Sequence, residues 1–223
     1  MIEKSDFDTF LYISKNEYQI FVYDKVNFQS LYNKRLKINS DVNLDDLSKF
    51  LDDNIYKIEK IVGNFIRNII LIIEDNKILS INISLKKNNY DNHLNKKFLK
   101  NNLTEVRDIF RENYEDQVIM HMIIVNDNDN DNDNDNYLYL EVNFITISNN
   151  ITLIFDKILE NYQIKVQKYM SGSYIKSFLN DNETKLSVMA KKLNDGFNRN
   201  EVKFDRKNIQ NKGFFEKFFQ LFS

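Results

Sequence analysis

Apolar and polar residues alternate with two periods along this chain, and the changes of period mark its elements. Residues 9–14, 18–24 and 28–38 are rich in β-branched and aromatic side chains and are separated by the turn-prone stretches "KNE" and "DKVN". Three consecutive strands are predicted there. From Leu44 the period lengthens: Leu44, Leu47, Phe50, Leu51, Ile55, Ile58 and Ile61 recur at helical spacing, after Asn43 as an N-cap and before Gly63 as a stop. The apolar run in "RNIILIIED" has strand length and suits the buried middle of a sheet, and "KILSINISL" alternates as a further strand.

A polar connector, 86–97, leads into a second set of elements. A helix is predicted over 102–114, strands over 117–125 and 137–147, a helix over 149–162 and a strand over 163–170. The order helix-strand-strand-helix-strand predicts a small α+β unit spanning 98–180, after an N-terminal subdomain spanning 1–86. A short helix, 171–179, and a longer one, 184–197, follow. Residues 197–212 carry much charge and no sustained period, which predicts a tether, so that 181–212 reads as helix plus tether.

The last segment, 213–223, changes the picture. On a helix, Phe214, Phe215, Phe218, Phe219 and Phe222 fall on an arc of about 140°, with Leu221 just beyond it and Glu216, Lys217 and Gln220 opposite. At this length it cannot span a bilayer, so it is expected to lie in the interface, with Phe214, Phe215, Phe218, Phe219, Leu221 and Phe222 in the apolar boundary. Lys207, Lys212 and Lys217 would meet anionic lipid. The competing reading is that the helix packs on its own domain as a last piece of core.

Composition bounds these readings without deciding them. The chain has 223 residues, is 42% hydrophobic and contains no cysteine, which suffices for a core and excludes disulfides and thiolate metal sites. Its net charge is −2, and much of the acid lies in the run Asp127, Asp129, Asp131, Asp133, Asp135, so bulk charge does not signal nucleic acid. That run, inside the loop 126–136, lacks the glycine at position six and glutamate at position twelve of a calcium loop, and reads as low-complexity sequence. No signal peptide or spanning helix is expected.

Candidate chemistry is sparse. His93 and His121 have no second ligand at metal spacing, and His121, alternating along a strand, reads as structural. Gly63, Gly172, Gly196 and Gly213 never cluster into a phosphate loop, and "MSGSY" lacks the paired glycines of a nucleophile elbow. Asp45/Asp46 and Asp52/Asp53 lie opposite the leucine stripe of their helix, as a solvated face. No catalytic residue, cofactor or metal is expected.

The order of elements and several segments resemble FtsA, the actin-like bacterial division protein family that tethers FtsZ to the membrane. "NIILIIEDNKILSINISL" is similar to the family's strand pair ahead of its inserted subdomain, and "LTEVRDIFRENYEDQVIMHMIIV" to that subdomain's first helix and strand. "LEVNFITISNNITLIFDKILENYQIKVQKYMSGSYIKSF" resembles the following strand, helix, strand and small-residue helix, and "NKGFFEKFFQLF" the Phe-rich membrane-targeting tail. The resemblance implies an α+β fold: an incomplete actin-like, ribonuclease H-like subdomain with an inserted helix-strand-strand-helix-strand subdomain and a C-terminal amphipathic helix. It implies a non-catalytic tether or self-associating component of the division machinery, peripheral on the inner face of the cell membrane. FtsZ or other division proteins would be its partners, with no nucleic acid. Where the family's first strand carries an Asp and a Gly against phosphate, "LYIS" offers Tyr12 and Ser14, and no segment matches the adenosine-binding glycines, so ATP is not expected as a cofactor.

Overall fold

The computed structural model describes residues 6–27, 29–38, 43–88, 96–126, 137–179 and 185–203. The acidic repeat, His93 and the terminal segment 213–223 lie outside them.

The predicted opening meander is present as β1 (Phe7–Ile13), β2 (Glu17–Asp24) and β3 (Ser30–Lys37), paired antiparallel in sequence order. Helix α1 (Leu44–Val62) starts where Asn43 accepts a hydrogen bond from the Asp45 N–H, 3.0 Å, and ends at Gly63, whose φ of 66° is left-handed. Its apolar stripe turns slightly at the ends, where Leu44 and Ile61 are exposed and Val62 is buried instead. β4 (Asn68–Ile73) then pairs parallel to β1, with Phe10 opposite Ile70 and Ile13 opposite Ile73.

The later elements are β5 (Leu79–Asn88), α2 (Lys96–Asn113), β6 (Gln117–Asn126), β7 (Tyr137–Ser148), α3 (Asn149–Glu160), β8 (Lys165–Ser171), α4 (Gly172–Lys176) and α5 (Leu186–Asn194). β8 lies parallel to β4, which completes a five-stranded sheet of order β3-β2-β1-β4-β8. An antiparallel meander is thus joined to parallel strands in one sheet, and the fold is α+β as expected.

Alternation along the strands gives this sheet two different faces. Leu11, Ile13, Ile20 and Leu71 point to a core closed by Leu47, Leu51 and Ile58 of α1 and by Phe155 and Leu159 of α3. Phe10, Tyr12, Phe21, Ile72 and Met170 point the other way, against Ile175 of α4 and Met189, Ala190 and Leu193 of α5. On that face Phe10 and Phe21 stack with ring centroids 4.9 Å apart. Each fully buried side chain of this kind contributes roughly 1.5–3 kcal/mol, so the faces hold the helices without help from propensity.

The second sheet has order β5-β7-β6 and is antiparallel throughout. One face is covered by α2, whose Phe110 stacks on Phe144 at 4.6 Å. The opposite face is polar along β5, with Asn82 bonded to both Asn143 and Glu141, and apolar toward β6, where Ile123, Ile145 and Ile147 pack into the cores of the first sheet.

Two expectations need correction. The element order of the inserted unit is as read, but its boundaries are not. β5, assigned to the N-terminal subdomain, pairs with β7, while α3 and β8, assigned to the unit 98–180, belong to the first sheet and its core. The inserted layer is therefore β5-α2-β6-β7. Strand alternation shows which residues face a core and says nothing of which sheet the strand joins. The tether, expected from residue 197, does not begin there. Residues 200–202 bond to β6, through Ile124 N–H to Asn200 O at 2.9 Å and Val202 N–H to Met122 O at 2.8 Å.

Candidate functional site

In open sheets with parallel strands, ligands bind outside the carboxyl ends of the strands, beside the point where the strand order reverses. Here that point lies between β1 and its parallel neighbour β4. Glu74 follows β4 directly and is fixed by its N–H, which donates to Ile13 O at 2.9 Å. The Tyr12 hydroxyl donates to the Glu74 carboxylate. Lys176, the last residue of α4, reaches the same carboxylate at 2.6 Å and lies 5.7 Å from the centre of the Tyr12 ring. Burial raises the Tyr12 pKa, and Glu74 raises it further. Burial pulls the Lys176 ammonium down, but Glu74 and Tyr12 outweigh it and its pKa is raised.

Gly172 backs this cluster. A Cβ there would stand 2.9 Å from Glu74 Cβ and 3.1 Å from Tyr12 Cε2, so only glycine lets α4 approach the strand ends this closely. Ser14, the other residue singled out by the sequence, is spent on the β1–β2 turn: its Oγ donates to Glu17 O and accepts from the Asn16 and Glu17 N–H groups. These residues do not fit a nucleotide phosphate. The acidic Glu74 stands at the strand ends, and the cation beside it is already paired.

A second polar cluster joins the two sheets. His121 on β6 is buried, its Nδ1 lies 2.9 Å from Glu201 Oε1, and its Nε2 accepts the Ser171 N–H of β8 at 2.9 Å. Because the amide can only donate, Nε2 carries no proton and Nδ1–H donates to the carboxylate, which assigns a neutral imidazole. Burial lowers the His121 pKa, against the pull of Glu201. Burial alone would raise the Glu201 carboxyl, but His121 and Lys168, 3.3 Å away, leave it below its ordinary value. Tyr174 donates to Glu201 Oε2 at 3.3 Å and accepts from Asn198 Nδ2 at 2.7 Å. Both nitrogens of His121 are thus engaged by protein groups, in line with a structural histidine.

Sequence reasoning missed Glu201, which sits in a segment without period. The usable signal was His121 itself, a buried strand histidine that needs a partner at each nitrogen, together with the alternation of Glu201, Val202 and Lys203. At the amino ends of the central strands a cleft of about 360 Å³ contains Lys25 between Asp6, 2.8 Å, and Asp8, 3.4 Å. Those charges satisfy one another. The residues expected at a membrane, Phe214, Phe215, Lys217, Phe218, Phe219, Leu221 and Phe222, lie outside the described residues. Among the described residues no helix is long and apolar enough to cross a membrane.

No family model matches the chain. No curated protein matches it either. Solved structures that it is similar to include the cytoplasmic domain of EpsL, an inner membrane component of the type II secretion system of Vibrio cholerae, at 8% identity and TM-score 0.40, covering 76% of this chain and 57% of that one. A protein of unknown function with an actin-like ATPase fold from Bacteroides thetaiotaomicron is similar at 12% identity and TM-score 0.34, over 80% of this chain and 58% of that one. The PilM-PilN type IV pilus biogenesis complex is similar at 8% identity and TM-score 0.45, over 75% of this chain and 48% of the matched one. The chain therefore spans about half of the length of these structures.

Proposed function

We propose that this chain is a non-catalytic, actin-like scaffold of the FtsA type, a membrane-held tether or self-associating component of the division machinery, with FtsZ or another division protein as partner. The observation that carries the non-catalytic part is the closure of the strand ends by Tyr12, Glu74 and Lys176, bound to one another where such a sheet would take a ligand. The membrane part is supported by the segregated Phe face of 213–223, and the peripheral position at the inner face of the cell membrane follows from it. A fluorescent fusion in cells of the source organism is expected to gather at the membrane at midcell. A fusion spread evenly through the cytosol would end the division reading.

A second reading, a soluble interaction module whose terminal helix packs on its own domain, is favoured by one observation. The chain is already folded back on its own inserted sheet as far as Val202. Limited proteolysis without lipid separates the two: a packed terminal helix resists trimming, and a membrane foot is removed first.

A further inference from the structure

The segment Asn198–Lys203 lies along the outer side of β6, tied by the two backbone hydrogen bonds of Ile124 and Val202 and by a bridge between Ile123 and Glu201. Its deepest contact is a side chain: Glu201, with 3% of that side chain exposed, reaches the fully buried imidazole of His121. We infer that Asn198–Lys203 is an acid-released clasp, held on β6 by the ionised Glu201 carboxylate and freed when that carboxylate takes up a proton.

The geometry requires the carboxylate. A proton on His121 Nε2 would face the Ser171 N–H of β8 and would leave Nδ1–H donating to Glu201, so the clasp's own tie turns on Glu201. A proton on Glu201 would remove the charge that faces Nδ1–H and the Lys168 ammonium. His121 faces Glu201 of the clasp, Ser171 of β8 and the Tyr174 ring of α4 at 4.2 Å; Glu201 faces His121, Lys168 and the Tyr174 hydroxyl. Burial holds the Tyr174 phenol above its ordinary value, so it stays neutral across the acid range.

The direction follows from linkage. His121 and Lys168 hold the docked Glu201 carboxyl below its ordinary value against burial, so its contribution is complete above the released value of about 4.3 and is lost as pH falls below it. The described residues stop at Lys203, and the Phe-rich segment follows in the sequence.

The test is amide hydrogen exchange by NMR on the full chain without lipid, corrected for intrinsic rates. Protection of Val202 and Ile124 is expected to fall about tenfold for each pH unit below roughly 4.3, while Leu11 and Ile20 of the central sheet hold, and Glu201→Gln is expected to abolish that dependence. Glu201→Gln, which keeps the shape, is expected to lower Val202 protection at neutral pH and leave Leu11 unchanged. Val202 protection that stays constant down to about pH 3, that falls only in step with Leu11, or that survives Glu201→Gln intact would overturn the clasp.

Discussion

The ammonium of Lys176 lies 2.6 Å from the carboxylate of Glu74, joining α4 to the end of β4 across 102 residues of sequence. The same carboxylate takes the hydroxyl of Tyr12, whose side chain is almost fully buried. Glu74→Ala therefore strands a buried hydroxyl and is expected to lower stability by about 1–3 kcal/mol, read as a shift in urea midpoint at constant slope. Tyr12→Phe in that background should cost much less than it does alone, because its partner is already gone. Equal costs in both backgrounds would show that the pair does not interact. Lys176→Ala should be milder than Glu74→Ala, since the lysine is half exposed.

Gly172 is constrained by space. Its added Cβ would meet Glu74 Cβ at 2.9 Å, and that atom follows a backbone fixed to Ile13. Gly172→Ala is expected to destabilise by about 1–3 kcal/mol through forced displacement of α4, visible as a lower Tm in calorimetry. An unchanged Tm would mean that α4 docks less closely than the strand-end packing implies.

Tyr162, just after α3, donates to Asp52 Oδ1 at 2.8 Å and to Ser48 O at 3.0 Å, and so fastens that end of α3 to α1. Burial, then the bond to Asp52 and its charge, push the phenol up to about 12. A group raised in the fold stabilises fully below its unfolded value, about 10, and loses that contribution as pH rises through the folded one. Tyrosinate absorbance in an alkaline titration should show a late component, shared with Tyr12 and Tyr174, that loses one phenol in Tyr162→Phe. If the variant titrates like the parent, the Asp52 contact does not hold in solution.

What the sequence revealed and what it hid divide by range along the chain. Asn43 and Gly63 bracket α1 because capping is local, and the alternation of β1 and β2 is local in the same way. β5 was placed in the wrong layer because Leu79–Asn88 alternates equally well beside β4 or beside β7, and only pairing over some 60 residues decides, as in Leu79 with Thr146. The cluster of Tyr12, Glu74 and Lys176 was hidden for the same reason. Tyr12 was noticed as a departure from a phosphate motif, but its partners are brought to it by the parallel pairing of β4 and β8. Glu201 was hidden by charge, because polar sequence reads as tether until a buried histidine is found waiting for it.

The corrected layer makes its own prediction. Phe110→Ala removes the ring stacked on Phe144 at 4.6 Å and on Tyr114 at 5.0 Å. It is expected to cost about 3–5 kcal/mol within the second sheet. Hydrogen exchange should accelerate in β5, β6 and β7 together, ahead of β1 and β2. If β5 stays with β1 instead, the division at 79–148 is wrong.

The proposed scaffold, held on a membrane by its terminal Phe face, is tested by sedimentation with anionic vesicles. The full chain is expected to pellet with vesicles. Phe215→Asp with Phe219→Asp should weaken that binding by well over about tenfold, since each buried ring contributes on the order of 1.5 kcal/mol or more and a charge in its place opposes insertion. Added salt should weaken binding less than the double substitution does. A chain that stays in the supernatant, or a double variant that pellets as well as the parent, would contradict the claim.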